Sequence, residues 1–335
     1  MNELHNIHLN NHNIDYECHD NDSILEAGLR KGLSMFYMCN NGSCGSCSAK
    51  LIKGNIHKLK HHDYTLKPKQ KRNNEFLMCC NSPSSDVILD VDLIGDVRSI
   101  ISQNIDTKVK SIDFIGDNLC ALTLRTPRSK TLQFMAGQDV ELSFNSKTSR
   151  YPIASCPCHG LELEFHIRKD ANDQFSQELF NGILKSKSLV ELEGPKGIFV
   201  LKEDSTRPMV FIACDIGFAP IRSLIEHSFS LEMSNPISFH WAYPLDENSP
   251  YLDNHAQSWK VVLDDYNYNP IPYKCSTSSD NCFKEISRSI FDSLDLSSIN
   301  RSEVYISAPA EVLIYLGELL LNNGLNEYQL IASPV

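Results

Sequence analysis

The spacing of apolar positions changes along the chain, and each change marks an element. In "DSILEAGLRKGL", Ile24, Leu25, Leu29 and Leu33 recur at helical spacing, with Asp22 or Ser23 placed to cap the helix. "SAKLIKG" then reads as a strand ended by Gly54. Residues 95–106, "GDVRSIISQNID", are polar without a strong period and read as a linker. After them "TKVKSIDFI", "LCALTLRT" and "QDVELSF" alternate with period two between turn signals, which predicts an antiparallel barrel. Further on, "MVFIAC" is an unbroken apolar run suited to a buried parallel strand. "DIGFAP" follows as a turn, and "IRSLIEH" begins a helix with Pro220 at its first position. A strand feeding a loop and a helix start is a usual place for a pyrophosphate.

At 335 residues the chain exceeds one ordinary core, and the pattern divides it into 1–95, 104–202 and 206–335. Hydrophobic residues make up 41% and charged residues 22%, as in a soluble globular protein. No run of about 18 apolar residues exists to cross a membrane. The polar N-terminus lacks a signal-peptide core, so the expectation is a cytoplasmic chain. There its 12 cysteines are expected as thiols or metal ligands rather than disulfides. A net charge of −11 argues against nucleic acid as the partner. That charge is uneven: residues 200–335 hold eight basic and eighteen acidic residues. Lys53, Lys58, Lys60, Lys67, Lys69, Lys71 and Arg72 form a basic run, which is a solvated loop or a docking face for an acidic partner. His5, His8, His12 and His19 sit in an Asn-rich stretch and read as a solvated edge.

"CNNGSCGSC" places Cys39, Cys44 and Cys47 in C-x4-C-x2-C order, the spacing of plant-type 2Fe–2S ferredoxins. A small cluster needs thiolates converging from one tight loop, and Gly42 and Gly45 let the backbone curl close to it. A fourth thiolate must come from downstream, and "FLMCCNSP" offers Cys79 or Cys80. Zinc sites pair two short knuckles instead and lack this glycine-rich loop.

In order and spacing this stretch resembles a plant-type ferredoxin domain, and the whole chain resembles the three-domain form of the ferredoxin–NADP reductase superfamily. That form includes oxygenase reductase components and CDP-6-deoxy-glucoseen reductases. In such chains a Pro follows the fourth ligand by four residues. Pro83 follows Cys79 in that way, so the resemblance makes Cys79 the ligand and Cys80 the spare. "FMAGQDVEL" and "GPKGIF" look like barrel segments, and "RPMVFIACDIGFAPIRSLIEH" looks like the first strand, phosphate loop and helix of a nicotinamide domain. The implied fold is multi-domain α+β and α/β: a β-grasp ferredoxin, an antiparallel flavin barrel and a Rossmann-like parallel sheet. The implied cofactors are a 2Fe–2S cluster, FAD and NAD(H). The implied partner is a separate electron-accepting protein such as an oxygenase or hydroxylase. Hydride carries two electrons and the cluster takes one, which makes flavin the needed intermediary.

The resemblance also assigns residues: Tyr151 to the flavin ring, Arg150 and Ser176 to its pyrophosphate, and Ile153, Ser155 and His166 to further flavin contacts. Gly217, Ala219 and Pro220 fall in the nicotinamide loop, with Ser307 beside the nicotinamide. Four departures stand out. Pro152 replaces the hydroxyl expected near flavin N5, and Asp173 replaces a Gly before Ser176. "CDIG" replaces Gly-Gly-Thr-Gly, and Ser307-Ala308-Pro309 replaces Cys-Gly-Pro, with no aromatic C-terminus. These departures are either drift in a working enzyme or a nicotinamide site weakened or lost, which would leave an electron carrier fed another way. An oxygenase and a deoxysugar dehydratase both remain open as the acceptor.

Overall fold

Three sheets account for most of the chain in the computed structural model. It describes residues 3–33, 35–37, 42, 45, 47–62, 64–91, 93, 100–128, 130–274 and 280–335. Cys39 and Cys44 lie outside the described residues, as does Cys275.

The first sheet has the order β2-β1-β7-β3-β5. Its strands are β1 (Leu4–Leu9), β2 (Ile14–His19), β3 (Ser48–Lys53), β5 (Glu75–Leu77) and β7 (Val87–Asp90). A short hairpin pairs β4 (Ile56–Lys58) with β6 (Asn81–Pro83). Helix α1 (Ile24–Arg30) is capped by Ser23, whose hydroxyl accepts from the Glu26 N–H at 3.1 Å. It buries Ile24 and Leu25 against Ile7, Leu9 and Tyr16. Helix α2 (Pro68–Arg72) buries nothing and carries Lys69, Lys71 and Arg72 outward.

The second sheet is antiparallel throughout, in the order β11-β10-β13-β8-β9-β12. It comprises β8 (Gln103–Ile115), β9 (Leu119–Arg125), β10 (Asp139–Phe144), β11 (Lys147–Pro152), β12 (Glu162–Arg168) and β13 (Leu189–Lys196). Helix α3 (Gln174–Phe180) covers one end. Strand β8 begins inside the segment read as linker, because Ile105, Thr107 and Val109 alternate inward behind a polar face. The third sheet is parallel, in the order β16-β15-β14-β17-β18. Its strands are β14 (Met209–Cys214), β15 (Ile237–Pro244), β16 (Tyr266–Tyr273), β17 (Glu303–Ala308) and β18 (Leu330–Pro334). The connecting helices are α4 (Phe218–Ser230), α5 (Asp253–Ser258), α6 (Asp280–Asp292), α7 (Leu296–Ile299) and α8 (Ala310–Asn322). All six residues of β14 and of β17 are buried, as parallel central strands require. The chain order reverses between β14 and β17, which opens a crevice at their carboxyl ends.

Two further sequence expectations change. Helix α4 starts at Phe218, so Pro220 is its third residue; its missing N–H has no helical partner to lose in the first turn. Cys156 and Cys158 are joined in a disulfide, and Cys282 is disulfide-bonded, where thiols were expected. In the first case the turn Pro157–His159 folds the two sulfurs together.

The second and third sheets are joined by buried charge. The Arg222 guanidinium on α4 donates to Glu164 of β12 at 2.6 Å and to Glu226 at 2.8 Å. His166 Nε2 lies 3.0 Å from the same Glu164 oxygen. Arg168 of β12 reaches the other way, to Asp215 and, at 3.0 Å, to Glu247. Burial pushes the Glu164 carboxyl up, but the His166 hydrogen bond and the Arg222 charge outweigh it and bring it down to about 2. A depressed carboxylate stabilises the fold above its unfolded value of 4.5 and loses that contribution as pH falls towards 2. Glu164→Gln is therefore expected to cost ~1–2 kcal/mol at pH 7, discounted for partial exposure, and progressively less below pH 4. Urea midpoints of both proteins across that range check this; an equal gap at pH 7 and pH 3 would mean that the Glu164 charge does not help hold the two sheets together.

Candidate functional site

At the ferredoxin end, Cys47, Cys79 and Cys80 are all buried. The Cys79 and Cys80 sulfurs are 3.5 Å apart. A hydrogen bond with Cys47, together with burial, pushes the Cys79 thiol far up. Gly42 and Gly45 have φ of 80° and 79°, the left-handed region that favours glycine. A Cβ on Gly42 would lie 2.5 Å from the Cys80 sulfur, and one on Gly45 would lie 2.4 Å from the Tyr64 ring. Gly42 and Gly45 approach His62 and Tyr64 this closely only because both positions lack side chains. The Cys80 carbonyl accepts from the Leu59 N–H at 2.9 Å, which brings the basic segment alongside the sulfurs.

In the second sheet, Tyr151 is buried on β11 and packs on Phe175, with ring centroids 5.5 Å apart. Its hydroxyl donates to Asp173, as does that of Ser149, at 2.5 Å. The same carboxylate caps α3, accepting from the N–H groups of Phe175 and Ser176 at 3.0 and 3.1 Å. Ser176 is fully buried; its hydroxyl donates to the Arg168 carbonyl at 3.0 Å and accepts from the Asp170 N–H at 3.2 Å. Arg150 is drawn away from this group into a two-pronged contact with Asp139, at 2.5 and 2.8 Å. Ile153 is buried, and Ser155 accepts from the Glu164 N–H at 3.1 Å. His166 sits between Glu164 and the Tyr251 hydroxyl, 2.8 Å from its Nδ1, and burial lowers its pKa. Pro152 ends β11, an edge strand, where a missing N–H costs no pairing.

At the crevice of the third sheet, a Cβ on Gly217 would lie 2.1 Å from the Ser307 carbonyl oxygen, so glycine lets the loop close on β17. Asp215 has φ of 51° and holds Arg168, and its carbonyl accepts from the Trp241 indole at 3.0 Å. Ala219 and Pro220 are buried in the first turn of α4. Ser307 is fully buried, and its hydroxyl has no hydrogen-bond partner among the described residues. Phe218 stacks on Trp241 at 3.9 Å, edge-on to Tyr251.

Residues 7–84 match the 2Fe-2S iron-sulfur cluster binding domain, and residues 106–201 match the oxidoreductase FAD-binding domain. The CDP-6-deoxy-L-threo-D-glycero-4-hexulose-3-dehydrase reductase of Yersinia pestis is 29% identical over 96% of this chain and 95% of its own. Reductase component 1 of the terephthalate 1,2-dioxygenase of a Comamonas species is 27% identical over 79% of this chain and 77% of its own. Among solved structures, the ferredoxin reductase in carbazole 1,9a-dioxygenase superposes with a TM-score of 0.59 at 18% identity, covering 100% of this chain and 99% of that one. The chain therefore carries a 2Fe-2S cluster binding domain followed by an oxidoreductase FAD-binding domain.

The cluster domain and the flavin domain differ in how their residues suit the cofactors. Cys47 and Cys79 form a dry pair of sulfurs that favours thiolates only beside a cation, which suits iron. The flavin domain presents Tyr151, but the start of α3, where the resemblance puts the pyrophosphate, is closed. Asp173 takes its N–H groups and Ser176 is committed to the main chain. That end does not suit a diphosphate as it stands. Sequence reading missed Glu164, Arg168 and Arg222; the only local sign was the charged "HIRKD", which runs two residues past the end of β12.

Two substitutions test these placements. Cys79→Ser is expected to abolish the visible absorption of the iron–sulfur cluster, and Cys80→Ser to keep it; the reverse pattern exchanges their roles. Asp173→Asn keeps the cap but drops the charge, and is expected to tighten FAD about fivefold or more in a flavin-fluorescence titration. Unchanged affinity would place the diphosphate elsewhere.

Proposed function

We propose that this chain takes reducing equivalents from NADH and delivers them singly to a separate acceptor protein. One observation carries the reading: the cluster domain packs directly on the flavin domain. The Gln133 side-chain amide donates to the Met35 carbonyl at 3.1 Å in a buried contact, and Leu29, Leu33 and Tyr37 face Leu132 and Phe134 around it. Lys31 adds an ion pair to Glu232 of the third domain at 2.5 Å. Bound flavin would supply the conversion of a two-electron hydride into single electrons. The chain's own residues hold the frame around that chemistry. Tyr151 is fixed by Asp173 and Phe175. Phe218, Trp241 and Tyr251 exclude water from the crevice, and Arg168 with Asp215 pins the loop after β14. Lys58 and the outward lysines of α2 flank the cluster segment, which suits an acceptor with an acidic face.

The acceptor is an oxygenase or hydroxylase in this reading. The longer match to the Yersinia dehydrase reductase favours a deoxysugar dehydratase as the second reading. Asp215 in the phosphate loop favours a further alternative, a carrier that does not oxidise NADH. The exposed Asp246 after β15, beside Glu247, repels an adenosine 2′-phosphate by roughly 1 kcal/mol or more. NADH is therefore expected to be preferred over NADPH by about fivefold or more. Pro152 and Ser307 remove orienting groups, so flavin reduction by NADH is expected to be measurable but about a hundredfold slow, and faster in Pro152→Ser. Rapid-mixing absorbance with each nicotinamide checks both. Bleaching by dithionite but not by NADH would leave the carrier reading in its place.

A further inference from the structure

The Cys156–Cys158 disulfide lies where the three domains meet. Its turn packs on α1 of the ferredoxin domain and on α4 of the third domain. The two sulfurs have different surroundings. Cys156 is buried, with its sulfur 3.8 Å from Nδ1 of His227 and 3.9 Å from the Ser230 hydroxyl. Nε2 of His227 is in turn 3.3 Å from the Glu203 carboxylate. Cys158 is half-buried and forms part of the wall of a cleft of about 680 Å³ between the ferredoxin and flavin domains. Lys60, Arg125 and Arg128 line the same cleft, as does Arg30, whose charge is paired with Asp22. Arg125 and Arg128 are exposed, and neither has an ion-pair partner among the described residues. Of the cleft's two carboxylates, Glu162 is tied to Lys110, and Glu26 also has a partner.

We propose that Cys156–Cys158 is a reducible centre whose partner is an anionic low-molecular-weight thiol entering this cleft. The exposed sulfur is the one open to attack, and the buried sulfur is the one with groups placed to receive charge. A thiolate attacks Sγ of Cys158, the Cys156–Cys158 bond breaks, and Cys156 leaves as a thiolate beside His227, which Glu203 orients. A second thiolate attacks the small molecule's sulfur in the mixed disulfide, and Cys158 leaves. The protons of the two incoming thiols end on Cys156 and Cys158. The sum is one protein disulfide and two small thiols giving two protein thiols and one small disulfide. The basic lining favours a thiol that carries carboxylates over a neutral or cationic one. The centre needs neither flavin nor nicotinamide, so it stands or falls apart from the reading above.

The test uses the full chain with glutathione, 2-mercaptoethanol or cysteamine at equal thiolate concentration and low salt, quenched by alkylation and digested with trypsin. Residues 151–168, bounded by Arg150 and Arg168, carry these two cysteines and no other, so the mass of that peptide reports their state. Glutathione is expected to open the disulfide about tenfold faster than cysteamine, through a mixed disulfide on Cys158. Added salt should erase the advantage, and Arg125→Glu with Arg128→Glu should invert it. His227→Gln should slow all three thiols without changing their order. A peptide that stays in the thiol form even under excess oxidised glutathione would overturn the proposal, as would equal rates with glutathione and cysteamine at low salt.

Discussion

Two arginines cross the junction between the antiparallel and parallel sheets in opposite directions, and the geometry of the crevice depends on that exchange. Arg168 leaves the flavin domain for Asp215 and Glu247, while Arg222 leaves the third domain for Glu164. Their side chains are 25% and 11% exposed, too little for either to keep its hydration. A charge taken from water costs several kcal/mol unless another charge meets it with good geometry. Each domain therefore supplies the counter-charge that the other's arginine needs. His166, Tyr251, Phe218 and Trp241 are packed in the space this fixes, and the loop after β14 is held against β12.

A second theme runs through both loops where the resemblance expects phosphate. Each carries an aspartate, and each aspartate is satisfied from within the chain. Asp173 draws on two hydroxyls and two main-chain N–H groups, and Asp215 on a guanidinium. A carboxylate so placed does for the folded chain what a bound anion does for a loop of glycines: it satisfies the donors and fixes the backbone. The loops consequently keep their shape without a ligand, and an incoming phosphate meets a negative group already seated there.

Much of this was legible in the sequence because it rests on local pattern. The alternation of β9 and β10, the run "MVFIAC" and a helix cap at Asp22 or Ser23 each declare themselves within a dozen residues. The start of β8 was hidden because its first inward residues lie within a stretch dominated by polar side chains. What could not be read are partners far apart in the chain: Glu164 with Arg222, Arg168 with Asp215, and Cys156 with His227. Nothing near Asp173 says whether its carboxylate turns towards α3 or away, since Ser149 and Tyr151 approach it across a separate strand. The Cys156–Cys158 bond defied expectation for a related reason: compartment and composition argue for thiols, and only the turn between the two residues argues otherwise.

The pairing of β8 with β13 has one more consequence. Gln103, the first residue of the antiparallel sheet, lies opposite Gly194, near its end. The polypeptide enters and leaves this domain at one place, like a loop of rope tied at its base. Tension between the domain before it and the domain after it therefore passes across that tie rather than through the sheet. Chains of this architecture can exchange, lengthen or lose their flanking parts while the middle part keeps its register.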